Sequence, residues 1–159
     1  MVIIIMGVVG AGKTTVGRLL AEKLGWEFAD ADHFHSAANI EKMSRGIPLD
    51  DCDRAPWLAA LRRSIEGWEL QGKNVVLACS ALKRNYRDEL RIPGVEFIYL
   101  EGNYQTISQR LRARRGHFAT DSILWSQFAD LEPPSQAITI EISQTPDAMV
   151  DEIITALKL

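Results

Sequence analysis

Apolar residues in this chain follow two alternating rhythms. Short, mostly apolar runs, Val2 to Met6, Asn74 to Cys79 and Val95 to Leu100, have the length of strands buried on both faces. Between them, apolar residues recur three and four apart, as on a helix with one buried side. Thr14 to Leu24 carries Val16, Leu19, Leu20 and Leu24 on one stripe, and Gly25 suits the turn that ends it. Trp26 to Ala29 reads as a short second strand, and Ala37 to Arg45 as a helix stopped by Gly46 and Pro48. Asp53 is the expected cap, and Pro56 the first turn, of a longer helix to about Leu70 whose Trp57, Leu61, Ile65 and Trp68 face a core. Further helices are expected over Leu82 to Arg91, Tyr104 to Arg115 and Asp121 to Leu131, the last stopped by Pro133-Pro134. Ala137 to Ile142 alternates as a fifth strand, and Asp147 to Leu157 closes the chain. Strand alternating with helix over 159 residues predicts one α/β domain with a parallel sheet covered on both faces. Pattern alone does not give the strand order.

The first strand runs directly into Gly7-Val8-Val9-Gly10-Ala11-Gly12-Lys13-Thr14, followed by a helix. This is the G-x-x-x-x-G-K-[ST] spacing of a phosphate-binding loop in its proper strand-to-helix setting. The glycines let the backbone bring N–H groups close to phosphate oxygens, and the helix start adds the positive end of its dipole. Lys13 is placed to reach the β- and γ-phosphates, and the Thr14 hydroxyl to ligate Mg²⁺. ATP with Mg²⁺ is the expected ligand, held by residues 7 to 14 together with Thr15.

Composition narrows the rest. A net charge of −3 argues against a broad nucleic-acid surface. Cys52 and Cys79 are the only cysteines and have no metal-site spacing. The apolar start lacks a basic n-region and enters the loop at once, so it reads as a strand and not a signal peptide. No run approaches the length of a membrane span. A reducing, cytoplasmic setting is the expectation.

Ligands of such sheets bind beyond the carboxyl ends of the strands. Asp30, Asp32, His33 and His35 follow the second strand, and Ser80, Lys83, Tyr86 and Arg87 follow the third. Standing alone, Asp30-Ala31-Asp32 reads as a solvated loop. Behind a phosphate loop it reads as a pair that divides labour, Asp30 near Mg²⁺ and Asp32 taking the proton of an attacking hydroxyl. His35 is the better of the two histidines for substrate contact. Arg54, within an acidic run, is either part of a solvated face or a clamp for a substrate carboxylate. Cys79 to Lys83 reads as a helix start suited to an anion, with Lys83 and Arg87 on one face. Arg110, Arg112, Arg114 and Arg115 precede Gly116-His117-Phe118. This densest basic stretch is either a solvated face or a lid over about residues 112–122, with Gly116 as hinge and Arg114 neutralising the transferred phosphoryl group.

Taken together, these residues resemble the gluconokinase family, small P-loop kinases related in fold to shikimate kinase. The matching blocks are the phosphate loop, Asp30-Ala31-Asp32-x-x-His35, Asn39-x-x-Lys42-Met43, Gly46-Ile47-Pro48-Leu49, Asp51-x-Asp53-Arg54-x-Pro56-Trp57-Leu58, Cys79-Ser80-Ala81-Leu82-Lys83, Tyr86-Arg87-Asp88, Arg114-x-Gly116-His117-Phe118 and Ser126-Gln127-Phe128-x-x-Leu131-Glu132-x-Pro134. The resemblance implies a P-loop fold with strand order 2-3-1-4-5, ATP-dependent 6-phosphorylation of D-gluconate, and often a homodimer. It places Asp32, His35, Arg54, Lys83, Arg87 and His117 around the sugar acid, and Arg110, Gln144 and Pro146 near adenine. The chain departs from the family pattern at Ala119-Thr120, where Met-Pro is usual, and at Ser36, a common proline. The third strand also ends without a carboxylate, which leaves Thr14, phosphates, waters and Asp30 for Mg²⁺. Rival readings are a kinase for another small acid such as shikimate, a regulatory ATPase, and a nucleic-acid kinase, the last disfavoured by charge.

Overall fold

A computed structural model describes residues 1–115 and 118–159, the side chains of 115 and 118–120 apart. Five parallel strands lie in the order β2-β3-β1-β4-β5: β1 Val2–Met6, β2 Glu27–Asp30, β3 Val75–Ala78, β4 Val95–Glu101 and β5 Ile138–Glu141. The helices are α1 Lys13–Leu24, α2 Ala37–Ser44, α3 Asp51–Leu70, α4 Arg84–Leu90, α5 Tyr104–Arg115, α6 Phe118–Asp130 and α7 Pro146–Leu157. The expected class and order are both found.

The apolar run of β1 has the reason anticipated. All five residues of β1 are fully buried, and they alternate between two cores. Ile3 and Ile5 pack with Val16 and Leu20 of α1 and Val150 and Ile153 of α7. Val2, Ile4 and Met6 pack with Leu61 and Ile65 of α3 and Tyr86 and Leu90 of α4. Each such side chain contributes about 1.5–3 kcal/mol on full burial. The result is a rigid central strand whose carboxyl end presents the glycine loop.

Several boundaries differ from the sequence expectation. The long helix begins at Asp51, so its cap is Asp50 and not Asp53. The Asp50 side chain accepts from the Asp53 N–H at 2.8 Å and the Asp53 carboxylate accepts from the Asp50 N–H at 3.1 Å, a reciprocal capping box. Pro56 consequently falls inside the helix, past its first turn. A run of acidic residues had hidden the start because several of them are competent caps.

Residues 79–83 are not a helix start: α4 begins only at Arg84, and Ala81 has a left-handed φ of 45°. Buried Arg87 stabilises this bend by donating to the Ala81 and Leu82 carbonyls at 2.8 and 3.0 Å. Ser36 caps α2, its hydroxyl accepting from the Asn39 N–H at 3.2 Å. The second strand begins at Glu27 and α6 at Phe118, and a single 3₁₀ turn, Ala31–Phe34, follows β2. Among the described residues no helix is long and apolar enough to cross a membrane.

The cap predicts a measurable cost. Asp50→Ala should destabilise the protein by about 1 kcal/mol. That corresponds to a thermal midpoint lower by about 2–4 °C, read by calorimetry.

Candidate active site

The glycine loop is held by packing as well as by its own backbone. Gly10 has φ +82°, and a Cβ there would lie 2.8 Å from Leu111 Cγ, so only glycine lets α5 pack so closely on the loop. Gly12 caps α1 at φ 102°, turning the chain so that the first helical amides face the loop. Two of the loop's donors find partners within the protein. Lys13 Nζ donates to the Val8 carbonyl at 2.9 Å, and the Val9 N–H donates to Gln127 Oε1 of α6 at 2.6 Å. Desolvation holds the Lys13 pKa below the usual lysine value, with nearby Asp32 foremost among the charges opposing it.

At the end of β2, Asp30 caps the 3₁₀ turn by accepting from the Asp32 N–H at 2.9 Å. Its other oxygen lies 3.4 Å from the Thr14 hydroxyl, so the two candidate Mg²⁺ ligands sit side by side. Both offer hard oxygen donors, which fits Mg²⁺. Among the described residues no cluster of three or more His, Cys, Asp or Glu side chains could hold a metal by itself.

Beside the loop lies a cavity of about 420 Å³, within the range of small-molecule sites. Lys13, Asp32, His35, Arg54, Ser80 and Gln127 line it, with Ile47, Pro48, Leu49 and Trp57 forming apolar wall. His35 is oriented from two sides. Its ring stacks on Trp57 with centroids 4.4 Å apart, and buried Asn39 donates to its Nδ1 at 3.2 Å. That bond makes Nδ1 an acceptor, so the neutral ring carries its proton on Nε2. Trp57 is itself pinned by donating to the Ala31 carbonyl at 2.7 Å. Core packing, expected for Trp57, is only half its placement.

Arg54 is buried at the centre of a charged network. One guanidinium nitrogen donates to Tyr86 Oη and to Asp130 Oδ2, both at 3.0 Å. Tyr86 in turn donates to Asp51, which also accepts from Lys83 Nζ at 2.9 Å. Burial works against the Arg54 charge, but the bonds to Tyr86 and Asp130 outweigh it and raise its pKa. The acidic run is thus partly a structural frame for one cation. Asp130 stood outside every sequence expectation, because nothing local marks a helix-terminal carboxylate as the partner of a residue 76 positions away.

Other expected residues lie elsewhere. Lys83 is bonded to Asp51 at the edge of the network and does not line the cavity. Arg87 does not line it either: its guanidinium is committed to the Ala81, Leu82 and Glu132 carbonyls. The expected shared face of Lys83 and Arg87 therefore does not form, because Lys83 precedes the helix that holds Arg87. Arg110 donates to the Ile142 carbonyl at 2.8 Å, beside the turn that carries Gln144 and Pro146. Arg114 is exposed on α5. Gly116 and His117 lie outside the described residues, as do the side chains of Ala119 and Thr120. Burial raises the Cys79 pKa to about 12, which makes its thiol inert.

With the loop at the end of the central strand and this pocket beside it, the fold is that of the small P-loop kinases, and a family model described as shikimate kinase matches residues 9–158. Gluconokinase of Gluconobacter oxydans (strain 621H) is 44% identical over 158 residues, spanning 96% of this chain and 88% of that protein. Thermoresistant gluconokinase of Escherichia coli (strain K12) is 40% identical over 161 residues, spanning 98% and 92%. A crystal structure of a gluconokinase from Sinorhizobium meliloti 1021 superposes with a TM-score of 0.88 at 40% identity, covering 98% of this chain and 90% of that one. The chain belongs to the gluconokinase family.

The His35 environment predicts a pH effect. Burial lowers its pKa, with Asp32 opposing and Arg54 reinforcing the shift. The folded protein therefore binds that proton less readily than the unfolded chain. Its contribution to stability is intact above the unfolded value of about 6.5 and declines as the pH falls through it. Urea midpoints should drop between about pH 7.5 and about pH 5.5, and less steeply in His35→Gln.

Proposed function

We propose that this protein transfers the γ-phosphoryl group of ATP to the 6-hydroxyl of D-gluconate. The observation that carries the reading is one cavity lined by both Lys13 of the phosphate loop and the Asp32, His35 and Arg54 set. Donor and acceptor binding groups therefore face the same space. Gluconate is a polyol with one negative charge, and the wall offers a cation together with hydroxyl-binding groups. The names of the relatives point to the same acid.

In this reading the loop amides from Gly7 to Thr15 surround the phosphates, and Lys13 exchanges the Val8 carbonyl for β- and γ-phosphate oxygens. Arg110, Gln144 and Pro146 lie toward the adenine. Thr14 and Asp30 hold Mg²⁺, which neutralises phosphate charge when bound. Arg54 takes the gluconate carboxylate, and its bonds to Tyr86 and Asp130 fix the approach. His35 offers Nε2–H to a hydroxyl. Asp32 orients the attacking hydroxyl and accepts its proton as the new bond to phosphorus forms. Arg114 neutralises charge on the transferred group, and His117 is a further ligand of the sugar acid. Much of the rate comes from alignment and fixed charge. The reaction takes place in the cytoplasm, where ATP is supplied and Cys52 stays reduced.

Lys13→Ala should lower kcat/KM by about 10²- to 10³-fold. Asp32→Ala should lower kcat by about 10²-fold or more while ATP binding stays near wild type. Normal turnover in Asp32→Ala would remove it as the base. Arg54→Ala should raise KM for gluconate by about ten- to a hundredfold, with KM for ATP little changed. A coupled ADP-release assay across gluconate, shikimate and other sugar acids tests the acceptor. Turnover with shikimate and none with gluconate overturns the assignment.

A further inference from the structure

One contact at the phosphate loop is unexplained by loop folding. Val9 N–H is a loop amide, the kind of group a phosphate oxygen takes. Here it is occupied by a side chain from 118 positions away, Gln127 Oε1 at 2.6 Å. An N–H donor requires the carbonyl oxygen of Gln127 to face it, so Nε2 is the free end of that amide. Among the described residues Nε2 makes no hydrogen bond, and Gln127 lines the acceptor cavity.

The helix that carries Gln127 is tied down at its far end. Asp130 is one turn on, on the same face, and holds Arg54 at 3.0 Å. The Glu132 N–H donates to the Leu82 carbonyl at 2.9 Å, and Arg87 grips the Glu132 carbonyl at 2.8 Å. The backbone under Gln127 is therefore anchored to the bend at residues 81–82, and the flexible side chain is the part free to respond. One helix face touches both the donor loop, through Gln127, and the acceptor cation, through Asp130.

We propose that Gln127 is a positioning residue that trades partners with the nucleotide. With the loop empty, its Oε1 holds the Val9 N–H. When a terminal phosphate oxygen takes that N–H, the amide turns into the cavity and holds an acceptor hydroxyl. Nucleotide binding thereby completes the acceptor pocket. This inference rests on the reading of the cavity as a site for a phosphoryl donor and a polyol acceptor.

The test is titration calorimetry on wild type, Gln127→Leu and Gln127→Glu, with a non-hydrolysable ATP analogue and Mg²⁺. Leucine cannot accept the N–H, so the analogue should bind about three- to tenfold tighter. A carboxylate competes more strongly for the N–H and repels phosphate, so Gln127→Glu should weaken binding about tenfold. Opposite shifts from two substitutions at one site do not arise from simple loss of packing. Gluconate should bind wild type more tightly with the analogue present than without it, and Gln127→Leu should lose that enhancement. Unchanged or weaker analogue binding in Gln127→Leu, or an enhancement it retains, overturns the proposal. If wild type binds no gluconate at all, the gluconate assignment falls instead, and the opposed nucleotide shifts still decide the exchange at Val9.

Discussion

A loop shaped to wrap a polyanion crowds together backbone N–H groups and positive charge, and it must stay in that shape when no anion is present. Everything else in this molecule depends on how that constraint is met. The central strand, buried on both faces, gives the loop a base that does not move. Gly10 lets Leu111 press against it from above. Two of its donors, the Lys13 ammonium and the Val9 amide, find acceptors within the protein. Two of the loop's donors are thus already engaged within the protein, and a nucleotide that takes them has to displace the Val8 carbonyl and Gln127.

The acceptor side meets the opposite difficulty. A guanidinium that lines a small-molecule cavity is costly to bury and floppy if exposed. Arg54 is buried, and its charge is maintained by Tyr86 and Asp130, with Asp51 and Lys83 behind them. Three helices, α3, α4 and α6, contribute to this network. Tertiary structure, and not the local acidic run, decides where the cation points. His35 follows the same logic with a stacked indole and an asparagine in place of ions.

Much of this was legible in the chain because it is encoded locally. Mostly apolar runs gave the three central strands, alternation gave the fifth, and the glycine spacing gave the loop, since all depend on neighbours in sequence. Thr14 and Asp30 were paired as metal ligands from their places after β1 and β2, and they do lie side by side. What escaped was encoded at a distance. Gln127 and Asp130 reach partners 118 and 76 positions away, and nothing in their own surroundings signals it. Arg87 looked like a substrate ligand because it is an arginine near a strand end; burial turned it toward three carbonyls. In a run of carboxylates the helix start is degenerate, and only the reciprocal pair of Asp50 with Asp53 resolves it.

The strand order has a wider implication. With β1 in the middle, the connections after β2 and β3 fall on one flank, and those after β4 and β5 on the other. Asp32, His35 and Arg54 belong to the first flank, and Arg110 with the Gln144–Pro146 turn to the second. Among the described residues the two flanks are joined at the glycine turn, through α1 and along α6. Such a body is modular in its chemistry: one side can be rewritten for a new alcohol while the other keeps its currency, provided the seam between them is preserved.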